Sequence, residues 1–210
     1  MSLTVKEEGG NFVQCPAGNH VSRCYAVIDL GTQHQDAFTW EGAPIAASDK
    51  PQGLIMWECP NELVEIEGEM KPAGISKFYN MFFTDRASLR IHLENWRGKN
   101  FTKEELDGFY IGNLIGKPCM VNVVHTDKGK AKVAGIAALP KGIEVPPQVN
   151  DSILFDLGDY NQETFDKISE GIQNIIKKSP EWQALNQPAQ GFRQTENPAP
   201  EGFEDDPCPF

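Results

Sequence analysis

The chain has 210 residues (23.3 kDa) and a formal charge of −11, with 40% hydrophobic and 23% charged side chains. That composition supports a packed core and excludes a chain disordered throughout, and the length suits one domain with appendages or two small domains. No apolar run approaches the roughly 18 residues that cross a bilayer.

The opening MSLTVKEEGGNF offers neither a basic nor an apolar signal segment. Five scattered cysteines (Cys15, Cys24, Cys59, Cys119, Cys208) read as reduced thiols, so the expected location is the cytoplasm. Residues 1–18 read as a leader, because Gly9-Gly10 and Pro16-Ala17-Gly18 interrupt any regular element. Residues 20–30 (HVSRCYAVIDL) alternate as a strand, and the polar stretch 31–50 reads as a loop. Residues 53–66 (GLIMWECPNELVEI) predict a strand, a break at Pro60-Asn61 and a second extended piece; residues 75–84 (ISKFYNMFFT) predict another strand. Residues 85–96 have helical spacing, with Leu89 and Leu93 one turn apart, Asp85 as the expected cap and Gly98 as the stop. Thr102 and Glu105 form a capping-box pattern that opens a short helix.

Residues 117–139 read as a hairpin, CMVNVVH against AKVAGIAAL, turning at residues 127–130. A linker at 141–150 follows. The C-terminal extension, 151–182, holds an amphipathic helix at 164–178 with Phe165, Ile168, Ile172, Ile175 and Ile176 on one face. It is expected to pack on the domain or to build a homodimer. Residues 183–210, rich in Pro, Gln, Asn and Glu, read as a disordered acidic tail. About five short strands, with a helix between the third and fourth, predict a mainly β protein with helices (α+β). A five-stranded OB-like Greek-key barrel over residues 19–140 fits that order, with an α+β sandwich as the competitor.

Charge is unevenly distributed. Residues 1–70 sum to −8, residues 71–141 to +6 and residues 142–210 to −9. The middle segment interleaves cations with aromatics, as single-strand binding requires: a positive groove for phosphates and ring faces for bases. The candidate nucleic-acid contacts are Trp57, Lys77, Tyr79, Arg86, Arg90, Arg97, Lys99 and the hairpin lysines Lys128, Lys130 and Lys132. The competing reading places Phe78, Met81, Phe83 and Trp96 in the core instead.

Other chemistries lack their patterns. Cys15, His20 and Cys24 are spaced C-x4-H-x3-C, and zinc would need Cys59 or Cys119 as fourth ligand; with no C-x2-C pair, no metal is assigned. Gly112 to Pro118 departs from the phosphate-loop spacing and puts Pro118 where the magnesium-binding hydroxyl belongs. The four histidines have no recognisable nucleophile partner, so no catalytic residue, enzyme activity or cofactor is assigned.

The chain ends Phe203-Glu204-Asp205-Asp206-Pro207-Cys208-Pro209-Phe210, a polyanion with an apolar terminal anchor. This resembles the acidic tip of bacterial single-stranded-DNA-binding proteins, an Asp run followed by Ile-Pro-Phe, with Cys208 where the Ile stands. The body is similar to a family of phage-encoded replication-associated proteins over most of residues 10–182. The matching stretches are NHVSRCYAVIDLGTQ, LRIHLENWRGKNFTKEELDGF and LIGKPCMVNVVH. Together these resemblances imply an OB-fold phage protein that binds single-stranded DNA. They further imply that Glu204, Asp205, Asp206, Pro209 and Phe210 recruit a polymerase, primase or helicase and compete with DNA for the basic groove. The alternatives are a replication-initiation or recombination mediator acting mainly on proteins, and a metal-dependent nuclease.

Overall fold

A computed structural model describes residues 14–40, 42–66 and 68–186. The strands are β1 (Gly18–Gln35), β2 (Phe38–Trp40), β3 (Ala43–Ile45), β4 (Ser48–Ile66), β5 (Glu69–Asn80), β6 (Pro118–His125), β7 (Ala131–Ala137) and β8 (Ile153–Phe155). The helices are α1 (Ser88–Arg97), α2 (Lys103–Asp107), α3 (Gln162–Asp166), α4 (Glu170–Ile176) and α5 (Pro180–Asn186), with a 3-10 turn at Ile111–Leu114. The protein is thus mainly β with short helices. The main sheet runs β5-β4-β1-β6-β7, antiparallel at each step, and β8 adds to β1 in parallel. The sheet is open: among the described residues no ladder joins β5 to β7.

Two hydrophobic clusters sit on opposite faces. On one, Cys24, Val27, Ile55, Trp57, Ile75, Tyr79, Val121 and Val133 pack against Leu89, Leu93 and Trp96 of α1. On the other, Ala26, Ile28, Leu30 and Leu54 receive Phe155, Leu157, Phe165, Ile168 and Ile176 of the C-terminal extension. The centres of β1 and β4 are therefore buried on both sides, which explains their nearly unbroken apolar runs. Close packing also sets one glycine: at Gly31 (φ +67°) a Cβ would lie 2.6 Å from the Ser179 Cβ.

Several expectations need correction. The stretch read as a loop, 31–50, holds the end of β1, the β2–β3 hairpin and the start of β4. Gln33 and Gln35 pair with Lys50 and Ser48 as strand with no apolar alternation, because this end of the sheet projects beyond the core. Pro60-Asn61 makes an irregularity between Cys59 and Leu63 inside β4, not an end. Asp85 does not cap α1; it accepts a bond from Arg90, and Ala87 occupies the cap without a side-chain bond. The expected 164–178 helix is two helices. Ser169 takes an extended conformation between them, and the Gln173 side-chain amide donates to the carbonyls of Phe165 and Ile168 at the break. Residues 183–186, assigned to the tail, belong to α5. The Gly98 stop and the Thr102/Glu105 capping box stand as expected.

The 141–150 segment has no regular structure, yet it is pinned. Arg23 and Glu58 face each other across the β1–β4 ladder. Arg23 donates to the carbonyls of Gly116 and Pro146 at 2.7 and 3.0 Å. The fully buried Glu58 carboxylate accepts from the Val149 and Asn150 amides and the Asn150 side chain at 2.9, 2.8 and 2.6 Å. A buried carboxylate needs such donors in place of water. Among the described residues, no helix is long and apolar enough to cross a membrane.

Candidate nucleic-acid interface

Register decides which side chains of β5 face solvent. Successive strand residues point to opposite faces, and Ala73, Ile75 and Tyr79 point into the α1-side core. Tyr79 is 2% exposed, and its hydroxyl donates to His92 Nδ1 at 2.8 Å. Trp57 is 0% exposed and packs 6.0 Å from Trp96, centroid to centroid. Neither ring is open to a stacked base, which corrects both aromatic assignments: their polar neighbours in sequence lie on the opposite face. Phe78, placed in the core by the competing reading, is 48% exposed. It pairs with Leu54 on the face that carries the C-terminal extension. Phe82, just past β5, is 40% exposed.

The cations divide into two groups. Around α1 and α2, Arg90 bonds Asp85 and Glu94, Arg97 bonds Glu105, and the Lys99 ammonium lies 4.0 Å from Glu105. The Arg97 guanidinium also lies over the Phe101 ring at 4.1 Å. Glu94 and Glu105 are held below the usual carboxylate range by their bonds to Arg90 and Arg97, as paired acids should be. The second group is Arg86, Lys77, Lys128, Lys130 and Lys132, which have no carboxylate partner among the described residues. Lys128 and Lys130 stand on the exposed β6–β7 turn. Bonds from Gly129 N to the Thr126 carbonyl (2.7 Å) and from Thr126 N to the Lys130 carbonyl (2.9 Å) close that turn, with Gly129 at φ 72°.

Lys77 shares the inward parity of Ile75 and Tyr79 and reaches toward β7. There its ammonium lies 3.5 Å from the Val133 carbonyl of β7 and 5.6 Å from the Tyr79 ring centroid. Burial, and then the nearby Lys132, push its pKa down from the ordinary lysine value. Among the described residues neither Lys77 nor Lys132 has a carboxylate partner. On the Phe78 face, the Asn80 Oδ1 accepts from Gln35 and Gln52 amides at 3.0 and 3.1 Å. Lys50 follows Gln52 on the same face of β4, and beyond it the β2–β3 hairpin exposes Phe38 opposite Ile45. Sequence reading missed Phe78, Phe38 and Lys50. The signal available was the Phe78-Tyr79 doublet, which on a strand must place one ring on each face.

His20 uses both ring nitrogens, on the Pro16 carbonyl (2.8 Å) and Glu62 (3.2 Å), while Cys24 donates to the Ala26 carbonyl. Among the described residues, no three His, Cys, Asp or Glu side chains converge as metal ligands. The partner-binding set Glu204, Asp205, Asp206, Pro209 and Phe210 lies outside the described residues. No family model, curated protein or solved structure matches this chain.

Proposed function

We propose that the chain is a non-enzymatic single-stranded-DNA-binding protein. Its phosphate contacts would be Lys77, Lys128, Lys130 and Lys132, and its exposed base-stacking ring Phe78. The observation that carries this reading is the β5–β7 seam, where the Lys77 ammonium lies 3.5 Å from the Val133 carbonyl and, among the described residues, neither Lys77 nor Lys132 has a carboxylate partner. Unpaired lysines can take backbone phosphates, and the Phe78 ring, exposed on the other face of β5, is open to a base there. The strand order, with α1 between the third and fourth long strands, supports an OB-type topology in which Lys77 spans the gap left by the missing β5–β7 ladder. The phage setting, in replication and recombination, rests on the sequence resemblance. The acidic terminus would compete with DNA for the lysines and recruit a replication partner.

Fluorescence titration with poly-dT at two salt concentrations tests this reading. Binding that weakens steeply with salt, with little sequence preference, supports it; absence of binding at low salt overturns it. Deletion of residues 201–210 should tighten binding at low salt and abolish partner recruitment. A second reading, a mediator acting mainly on proteins, is favoured by the β4–β5 hairpin end, where Leu63, Ile66 and Met70 are exposed among acidic side chains. Co-purification that survives nuclease treatment would favour that reading.

A further inference from the structure

The four described cysteines are all buried and reduced, but they are not equivalent. Cys24 and Cys119 sit among apolar side chains, where burial pushes the Cys24 thiol up to about 12 and the Cys119 thiol well above its ordinary value. Cys15 and Cys59 touch. Their sulfurs lie 3.7 Å apart, with the Cys15 thiol donating, and the Ser22 hydroxyl lies 3.3 Å from the Cys59 sulfur. These bonds, Cys15 foremost, draw the Cys59 thiol down to about 7 and raise that of Cys15. Cys15 also precedes the sheet on a short segment whose other residues, Gln14, Pro16 and Ala17, are exposed. Cys15 itself lies outside every strand.

The segment has a second attachment. The Cys15 carbonyl accepts from His125 Nε2 at 2.9 Å, and the Gln14 side-chain carbonyl accepts from the Ala131 amide. His125 ends β6 and Ala131 begins β7, so the chain around Cys15 braces the base of the turn that carries Lys128 and Lys130.

We propose that Cys15 and Cys59 form a redox-active pair, closed to a disulfide by low-molecular-weight disulfides, that locks the N-terminal segment onto β4 beneath the basic turn. The Cys59 thiolate attacks one sulfur of the oxidant, forming a mixed disulfide and releasing one thiolate. The Cys15 thiol, losing its proton to solvent, then attacks the Cys59 sulfur and expels the second. Two protons leave the protein, and its two electrons reduce the oxidant's S–S bond. The inference stands independently of what binds the turn.

The test uses the full chain with Cys208→Ser, exposed to oxidised glutathione, then acid-quenched, denatured and alkylated. The expected result is an intact mass lower by two hydrogens, alkylation at Cys24 and Cys119 only, and a Cys15–Cys59 cross-linked peptide. The apparent Tm without reductant should rise by roughly 5–10 °C, because the bond closes a long loop of the unfolded chain. With Cys15→Ser added, glutathione should remain attached at Cys59. Alkylation of all four cysteines after prolonged oxidation, or a cross-link between any other pair, would overturn the proposal. Peptide mapping of the parent chain decides the matter even if the Cys15→Ser chain folds poorly.

Discussion

The arginines on and beside α1 and the lysines of the β6–β7 hairpin belong to one basic stretch of sequence, yet they do different physical work. Arg90 and Arg97 are neutralised by Asp85, Glu94 and Glu105, and Arg97 additionally covers Phe101. Among the described residues Lys128, Lys130 and Lys132 have no such partners, and they stand exposed. Net charge along a sequence therefore overstates what is offered to a ligand. Only cations without an internal partner add to the field that a polyanion meets.

The strongest way to break this comparison is charge reversal on the uncompensated side. Replacing Lys128, Lys130 and Lys132 with Glu should weaken poly-dT binding on the order of 100-fold at low salt and flatten the salt slope by about 2. An unchanged slope would move the interface elsewhere. Next in size, Phe78→Ala should cost about 1–3 kcal/mol of single-strand affinity while leaving the urea midpoint unchanged. A lowered midpoint with unaltered affinity would return Phe78 to a packing role.

Arg97→Ala sharpens the contrast from the paired side. It should lower stability by about 1–2 kcal/mol through the lost guanidinium packing and leave the salt slope of DNA binding as it was. A pH-dependent effect concerns His92, which burial, and then Lys77, hold down to about 4. The unfolded chain binds a proton on this ring near pH 6.5 and the folded chain resists it. The stability present above pH 6.5 is therefore lost as pH falls toward 4. His92→Gln, which keeps an acceptor for the Tyr79 hydroxyl, should remove about 2 kcal/mol of the stability difference between pH 7.5 and pH 5, as measured by urea unfolding.

Parts of the fold were legible because local chemistry dictated them. Thr102 and Glu105 satisfy each other's backbone amides within one turn, so the α2 start needs no tertiary context. Leu89, Leu93 and Trp96 mark the buried face of α1 by spacing alone. The candidate site was legible only in part: the exposure of Lys128 and Lys130 could be read because a hairpin tip cannot bury them. Trp57 and Tyr79 were misassigned because exposure of a ring depends on which face of a sheet is covered, and β4 is covered on both. The polar end of β1 was missed because its strand partners, Ser48 and Lys50, are as polar as it is.

By itself the sequence determined the mainly β character, the α1 helix between strands, the final hairpin and the concentration of positive charge in the middle of the chain. These follow from side-chain period and local hydrogen bonding, which act over a few residues. Only the tertiary structure decided which cations lack a partner, which of two adjacent rings on β5 meets solvent, and that Cys15 lies against Cys59. Each of these depends on contacts between residues far apart in sequence, and pairing, burial and thiol contact are properties of that arrangement rather than of the residues.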